Sequence, residues 1–281
     1  MPAPDFVAIG HVTLDHFGHA VRPGGAALFA AVTAHRLGLS AAILTSHGED
    51  FPLDLIPPQI EVVTVPAEAT TRFMHRHEGG ARVMEVPAVA RPLTSPHVPE
   101  DWREASIVLL APVIDEVDPL LAVAFPEATL AAAAQGWLRA REKAGAVAAH
   151  VWTPPDFLVG RLQAVFLSRE DVAGQEDRIV ELYQRVPLGV LTADRLGAFL
   201  FVNGERYEVP PRRAREVDPT GAGDVFAATF LVHYQREGDP WEAASAAACA
   251  GSLAVEGEGW SSLPDRRELE LALARYRDHE R

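Results

Sequence analysis

The chain has 281 residues, 48% of them hydrophobic, and a formal net charge of −14. Such a chain buries a large core, either as one α/β domain or as a main domain with a small appendage. Its negative charge argues against nucleic-acid and membrane-surface partners, since neither surface attracts an anion.

Met1-Pro2-Ala3-Pro4-Asp5 has no basic region and runs straight into an apolar segment, so no secretory signal is expected. No apolar stretch approaches the ~20 residues that cross a bilayer, and the expectation is a cytoplasmic protein. Cys249 is the sole cysteine. It rules out an intramolecular disulfide and reads, in the alanine-rich run 243–255, as a small core residue.

In chain order, Phe6–Gly10 is a short apolar run closed by glycine, a buried strand, and Asp15 follows just beyond it. Arg22-Pro23-Gly24-Gly25 leads into a helix from Ala26 to about Leu37, stopped by Gly38. Consecutive glycines let a ligand approach the backbone; a flexible turn accounts for them equally. Strands are expected at 41–45 and 60–65. Residues 71–78 and 81–86 alternate around Gly79-Gly80, a hairpin pattern. Apolar segments at 106–111, 129–134, 146–152 and 164–168, separated by loops or helices, argue for a mainly parallel sheet covered on both faces. Ligands of such sheets lie beyond the strands' carboxyl ends. Ser168 reads as the N-cap of a helix over 169–186. Strands at 188–193 and 198–202 pair, and Asn203-Gly204 turns a second hairpin into 206–209. Helices follow at 224–237, 240–255 and 265–280. His11, His16 and His19 lack the companion spacing of a metal site and read as loop residues.

The most informative stretch is Asp218-Pro219-Thr220-Gly221-Ala222-Gly223-Asp224. A polar turn runs into two glycines and a carboxylate, then into an apolar helix. Gly221 and Gly223 let backbone N–H groups crowd around an anion, and Asp224 in the first helical turn faces whatever lies beside it. Amide-bound phosphate next to a carboxylate base points to phosphoryl transfer onto a hydroxyl.

The whole string resembles the signature of the ribokinase-like (PfkB) carbohydrate kinases. The resemblance implies an α/β, three-layer ribokinase-like sandwich with a mainly parallel central sheet, a single domain over residues 1–281. It also implies a small β-lid from about 10–23 and 70–91, present in a monomer or serving as the interface of a homodimer. By the same resemblance Asp224 is the catalytic base, the amides of Gly221, Ala222 and Gly223 form the anion hole, and the substrates are ATP with Mg²⁺ and a small polyhydroxylated acceptor. Asp15 corresponds to the hydroxyl-binding aspartate and Gly24-Gly25 to the di-glycine turn against the substrate. Gln135 and Arg139, in Gln135-Gly136-Trp137-Leu138-Arg139, match the Q-G-x-x-R segment of myo-inositol kinase-like members and become acceptor contacts. Thr192, Asp194, Gly197, Thr220, Gly221, Gly223 and Gly259 fall at nucleotide-facing positions.

The chain also departs from the family pattern. Phe29 stands where many sugar kinases carry asparagine, which looks closer to inositol and nucleoside kinases. Ser168 and Asp171 replace the ends of the N-x-x-E magnesium segment, with Glu170 as the substitute carboxylate for water-mediated Mg²⁺. Asp194 replaces the first glycine of T-x-G-x-x-G. A monovalent-cation site is implied at Asp218 and Thr220, completed by the loop at Gly259, where Trp260 does not match. The reading that follows is an ATP-dependent kinase of a sugar or cyclic polyol, myo-inositol first. The rivals are another sugar or nucleoside kinase, and a non-catalytic sugar-binding homologue.

Overall fold

Phe6, Val7, Ala8 and Ile9 are all apolar and all buried, as a strand covered on both faces requires. In the computed structural model, which describes residues 2–78, 81–143 and 145–279, they form β1 (Phe6–Ile9) near the middle of a nine-stranded sheet. β1 pairs in parallel with β4 (Ala41–His47) on one side and β8 (Ile107–Leu110) on the other. Beyond β4 lies β5 (Glu61–Pro66). Beyond β8 the parallel pairing continues through β9 (Thr129–Ala133), β12 (Ala164–Ser168) and β13 (Leu188–Thr192). Two antiparallel hairpin strands, β14 (Ala198–Val202) and β15 (Glu205–Val209), finish that edge. The order in which successive strands are added therefore reverses between β1 and β8, and ligands of open α/β sheets gather at the carboxyl ends beside such a point.

Strand alternation divides the core in two. Phe6, Ala8, Ile107 and Leu109 face one cluster; Val7, Ile9, Val108 and Leu110 face the other. The first cluster is roofed by α1 (Ala26–Arg36), α4 (Ala222–Glu237), α5 (Pro240–Ala254) and α6 (Arg266–His279). Alanines fill most of the α5 contact face, so α4 and α5 approach closely, and α6 adds Leu269, Ala272, Leu273 and Tyr276 at helical spacing. The break between α4 and α5 is written locally. Gly238 closes α4 in the left-handed region (φ 70°), Asp239 accepts from the Trp241 and Glu242 N–H groups, and Pro240 takes the first helical position. The second cluster is covered by short 3₁₀ turns with α2 (Asp156–Val159) and α3 (Glu176–Tyr183), anchored by the buried Trp102 and Trp137. Three layers result, as expected, and Cys249 is buried in the first cluster.

A separate four-stranded sheet stands over the cleft in the order β3-β2-β6-β7: β2 (Thr13–Phe17), β3 (Ala20–Gly24), β6 (Thr71–Glu78) and β7 (Ala81–Ala88). The expected Gly79-Gly80 turn lies outside the described residues. β10 (Arg139–Arg141) and β11 (Val147–Ala149) form a two-stranded ribbon that reaches β7 through the Glu85–Ala146 bridge.

Three local expectations are corrected. Residues 146–152 do not join the central sheet, because β11 pairs with β10 instead. The helix expected over 169–186 is shorter, Glu176–Tyr183, with Gly174 at φ 79° breaking the run before it; Ser168 therefore caps a turn. Of the three histidines read as loop residues, His11 lies in the β1–β2 connection and His19 in the β2–β3 turn as expected, but His16 does not lie in a loop. His11 is fully buried, its ring bonded to the Arg91 carbonyl and the Thr71 hydroxyl, and His16 sits in β2.

Candidate active site

The carboxyl ends of β8, β9, β12 and β13 deliver Val113, Gln135, Ser168 and Thr192 to one cleft of about 1310 Å³. The same cleft takes Asp15 and Phe73 from the four-stranded sheet, Phe29 from α1 and residues 219–224 from the start of α4.

Gly221 is the N-cap of α4 with φ 78°, and a Cβ there would lie 2.3 Å from the Phe29 ring. Glycine at this position is therefore demanded twice, by backbone conformation and by the aromatic ring behind it. A Cβ on Gly223 would meet nothing within 4 Å. That glycine leaves open space above the first helical turn, where N–H groups lack intrahelical acceptors and the helix end is positive.

Asp224 lies in that turn and lines the cleft. Desolvation pushes its pKa up to about 7; Arg139 pulls it down, and the carboxylates of Asp171 and Asp15 push it further up. It stays partly exposed where the cleft opens above it, while the surrounding protein strips away most of its water. A carboxylate poised near neutrality is suited to taking a proton from a hydroxyl.

Asp15, 8% exposed, projects from β2 and accepts from the Thr13 hydroxyl at 2.9 Å. The two glycines behind it have different tasks. A Cβ on Gly24 would lie 2.3 Å from Asp15 Oδ2, so Gly24 makes room for the carboxylate without lining the cleft. Gly25 adopts φ 106°, packs against the His11 carbonyl and does line it. Gln135 and Arg139 come together on the opposite wall. Arg139 Nη2 donates to Gln135 Oε1 at 2.9 Å, and the guanidinium pairs with Asp171 Oδ1 at 3.5 Å.

Asp171 is closed into a turn. Its Oδ2 accepts from the Ser168 N–H (3.0 Å) and hydroxyl (2.6 Å), and its own N–H donates to Ser168 Oγ at 3.1 Å. With both oxygens engaged, Asp171 shapes the wall, and Glu170 is the exposed carboxylate beside it on the cleft. Among the described residues no group of three or more His, Cys, Asp or Glu side chains converges as a metal site.

Thr192, Asp194 and Gly197 line the far end. Asp194 adopts φ 48°, a left-handed conformation that aspartate tolerates, and Gly197 at φ 91° backs onto the Val209 carbonyl. Thr220 lines the cleft, whereas Asp218 and Gly259 lie behind it. Asp218 Oδ1 accepts from the Thr220 N–H at 3.0 Å, and Oδ2 pairs with Arg22 at 3.1 Å and accepts from the Gly259 N–H at 3.4 Å.

Two groups escaped sequence reasoning. His75 and Met84 join Phe73 as cleft walls from the four-stranded sheet; a hairpin pattern does not say which of its two faces meets a ligand. Arg195, Arg212, Arg213 and Arg215 also line the cleft. The signal for them was present in Pro210-Pro211-Arg212-Arg213-Ala214-Arg215, a basic run just before the glycine motif of an acidic chain. Arg195 pairs with Glu216 at 3.1 Å and Arg212 with Glu256 at 3.2 Å.

Comparison with known proteins agrees with this geometry. Residues 103–266 match the pfkB family carbohydrate kinase profile, more than half of the chain. A cytidine kinase of Thermococcus kodakarensis is 27% identical over 268 residues, covering 85% of this chain and 91% of that one. A pyrophosphate-dependent kinase of the ribokinase family, solved with a pyrophosphate analogue and myo-inositol, superposes with a TM-score of 0.79 at 21% identity, covering 94% of this chain and 99% of that one. The ribokinase of Thermotoga maritima superposes at 0.72 with 19% identity, over 96% and 99% of the two chains. Among the described residues no helix is long and apolar enough to cross a membrane. The chain belongs to the pfkB family of carbohydrate kinases and is a sugar or nucleoside kinase, a phosphotransferase with a hydroxyl acceptor.

Proposed function

We propose that this kinase transfers the γ-phosphoryl group of ATP to one hydroxyl of a small cyclic polyol or sugar, with myo-inositol as the leading acceptor. The observation that carries the reading is Asp224. It is a carboxylate poised near pH 7 at a helix N-terminus open for phosphate, in one cleft with Asp15, Gln135 and Arg139. Asp15 and the Gln135–Arg139 pair orient the acceptor hydroxyls, one of which points at Asp224. The hydroxyl oxygen forms a bond to the γ-phosphorus while the bridging bond to the β-phosphate oxygen breaks. The proton passes to Asp224 and ADP departs. The amides of residues 221–223 receive the charge that gathers on the transferring group. Mg²⁺, when bound with the donor, neutralises phosphate charge, with Glu170 and water on its protein side.

A second reading concerns the donor alone. Of the four arginines on this part of the cleft, Arg195 and Arg212 are paired with Glu216 and Glu256, which leaves Arg213 and Arg215 as the cations suited to a compact, highly charged phosphate donor. The likeness to a pyrophosphate-dependent kinase supports the same idea. In that reading inorganic pyrophosphate replaces ATP and phosphate replaces ADP as leaving group.

The test is a turnover matrix of ATP and pyrophosphate against myo-inositol, common sugars and nucleosides. Acceptor turnover abolished in Asp224→Asn supports the mechanism, and near-wild-type turnover by that variant overturns it. Tight polyol binding with no turnover on either donor favours a binding protein. Arg213→Ala raises the KM of pyrophosphate more than that of ATP if pyrophosphate is the natural donor.

A further inference from the structure

Arg22 stands directly opposite Asp15 in the β2–β3 register, but its side chain reaches the far side of the site. Nη1 donates to Asp218 Oδ2 at 3.1 Å and Nη2 to Glu258 Oε2 at 3.3 Å. The guanidinium carbon lies 5.5 Å from the centre of the Phe17 ring, which limits the side chain's freedom. Asp218 itself is nearly withdrawn from water, its side chain 10% exposed. It holds the loop before α4 by accepting the Thr220 N–H and ties that loop to residues 256–259 through the Gly259 N–H. A carboxylate so enclosed needs a cation or a full set of donors.

The cation implied by sequence resemblance at Asp218, Thr220 and Gly259 does not fit these contacts. A hard cation asks for converging oxygens, and here Asp218 meets N–H donors from Arg22, Thr220 and Gly259. We propose that the Arg22 guanidinium takes the place of a bound monovalent cation, neutralising Asp218 and Glu258 and so setting the loop that carries the anion hole. The kinase is accordingly independent of potassium. Because Arg22 is the register partner of Asp15, the strand pair that holds the acceptor is mechanically linked to the loop that holds the transferring phosphate. Arg22 is thus a positioning residue that acts through Asp218 on the 221–223 amides.

The kinetic part of this inference rests on the phosphoryl-transfer reading, and the thermal part does not. Both are measured on the full chain in potassium, sodium and choline chlorides at matched ionic strength. Wild-type thermal unfolding curves are expected to superimpose in the three salts, and so are its turnover numbers. Arg22→Ala is expected to lower kcat by roughly 10- to 100-fold, as displacement of an aligned site does, with a smaller change in donor KM. It should also gain a potassium-specific rise in both melting temperature and kcat, as the vacated site accepts the ion. Arg22→Lys, which keeps the charge, should recover most of kcat without potassium.

A potassium-specific rise in wild-type melting temperature or kcat overturns the proposal, as does Arg22→Ala with wild-type kcat in choline. Should Arg22→Ala not fold, the wild-type salt series and Arg22→Lys still decide the matter. Absence of turnover on any donor and acceptor defeats the kinase reading alone, because the thermal series continues to report on the cation.

Discussion

In the proposed mechanism Asp224 concentrates the chemistry, and three outcomes follow. With deprotonated Asp224 as the proposed base, kcat/KM should rise with pH along a limb centred near 7. Replacing Arg139, whose charge holds that pKa down, by glutamine should move the limb to higher pH; a pH–rate profile of both proteins checks this. Asp224→Asn should lower kcat by roughly 10²–10⁴-fold, the usual scale of general-base loss, with acceptor KM changing little. The same shift has a stability consequence. The folded state holds the proton more tightly than the unfolded chain, so stability falls as pH rises from near 4 and levels off above 7. Thermal melts of Asp224→Asn should lack that fall and exceed wild type at pH 8.

Among elements, the N-terminal turn of α4 separates two glycines that look alike in sequence. Gly221 carries φ 78° and abuts Phe29, whereas Gly223 faces open space. Gly221→Ala should therefore cost on the order of 1–3 kcal/mol of stability through backbone strain, more where the Phe29 ring cannot shift. Gly223→Ala should leave the melting temperature almost unchanged yet weaken donor binding and kcat, because its methyl group enters the space reserved for phosphate. Denaturant melts and steady-state kinetics on the pair separate the two roles. Asp239, capping α5, is a purely structural control. Asp239→Ala should cost about 1 kcal/mol with kinetics intact, although α5 supplies Ala248, Gly251 and Ser252 to the cleft wall.

At the scale of the molecule, one nine-stranded sheet and one four-stranded sheet meet over a cleft whose two ends differ in character. The acceptor end is narrow in composition, with Asp15, Gln135, Arg139 and aromatic walls; the donor end carries arginines on an acidic chain. Turnover on pyrophosphate, if that is the donor, should fall more steeply with added salt than turnover on ATP, since the compact donor depends more on the exposed cationic rim. The expected assembly, a monomer or a homodimer through the four-stranded sheet, is read by sedimentation velocity on the full chain.

The sequence by itself determined whatever depends on local chemistry. Alternating and continuous apolar runs placed the strands of the central sheet, the β6–β7 hairpin and four long helices within a few residues, but not β2 and β3 of the smaller sheet. The string 218–224 announced a glycine-capped helix onset at the cleft, because glycine spacing and helix onset are written in consecutive positions. It could not show that Gly24 exists for the Asp15 carboxylate, that Asp171 is closed off by Ser168 and Arg139, or that Gly174 cuts a helix short. Each of those depends on distances between residues far apart in the chain or on a backbone angle with no unique code. Only the tertiary structure decided that Arg22, 196 positions away in the chain, pairs with Asp218. A guanidinium can be read from sequence, but the carboxylates it meets are chosen by how two sheets and a helix pack.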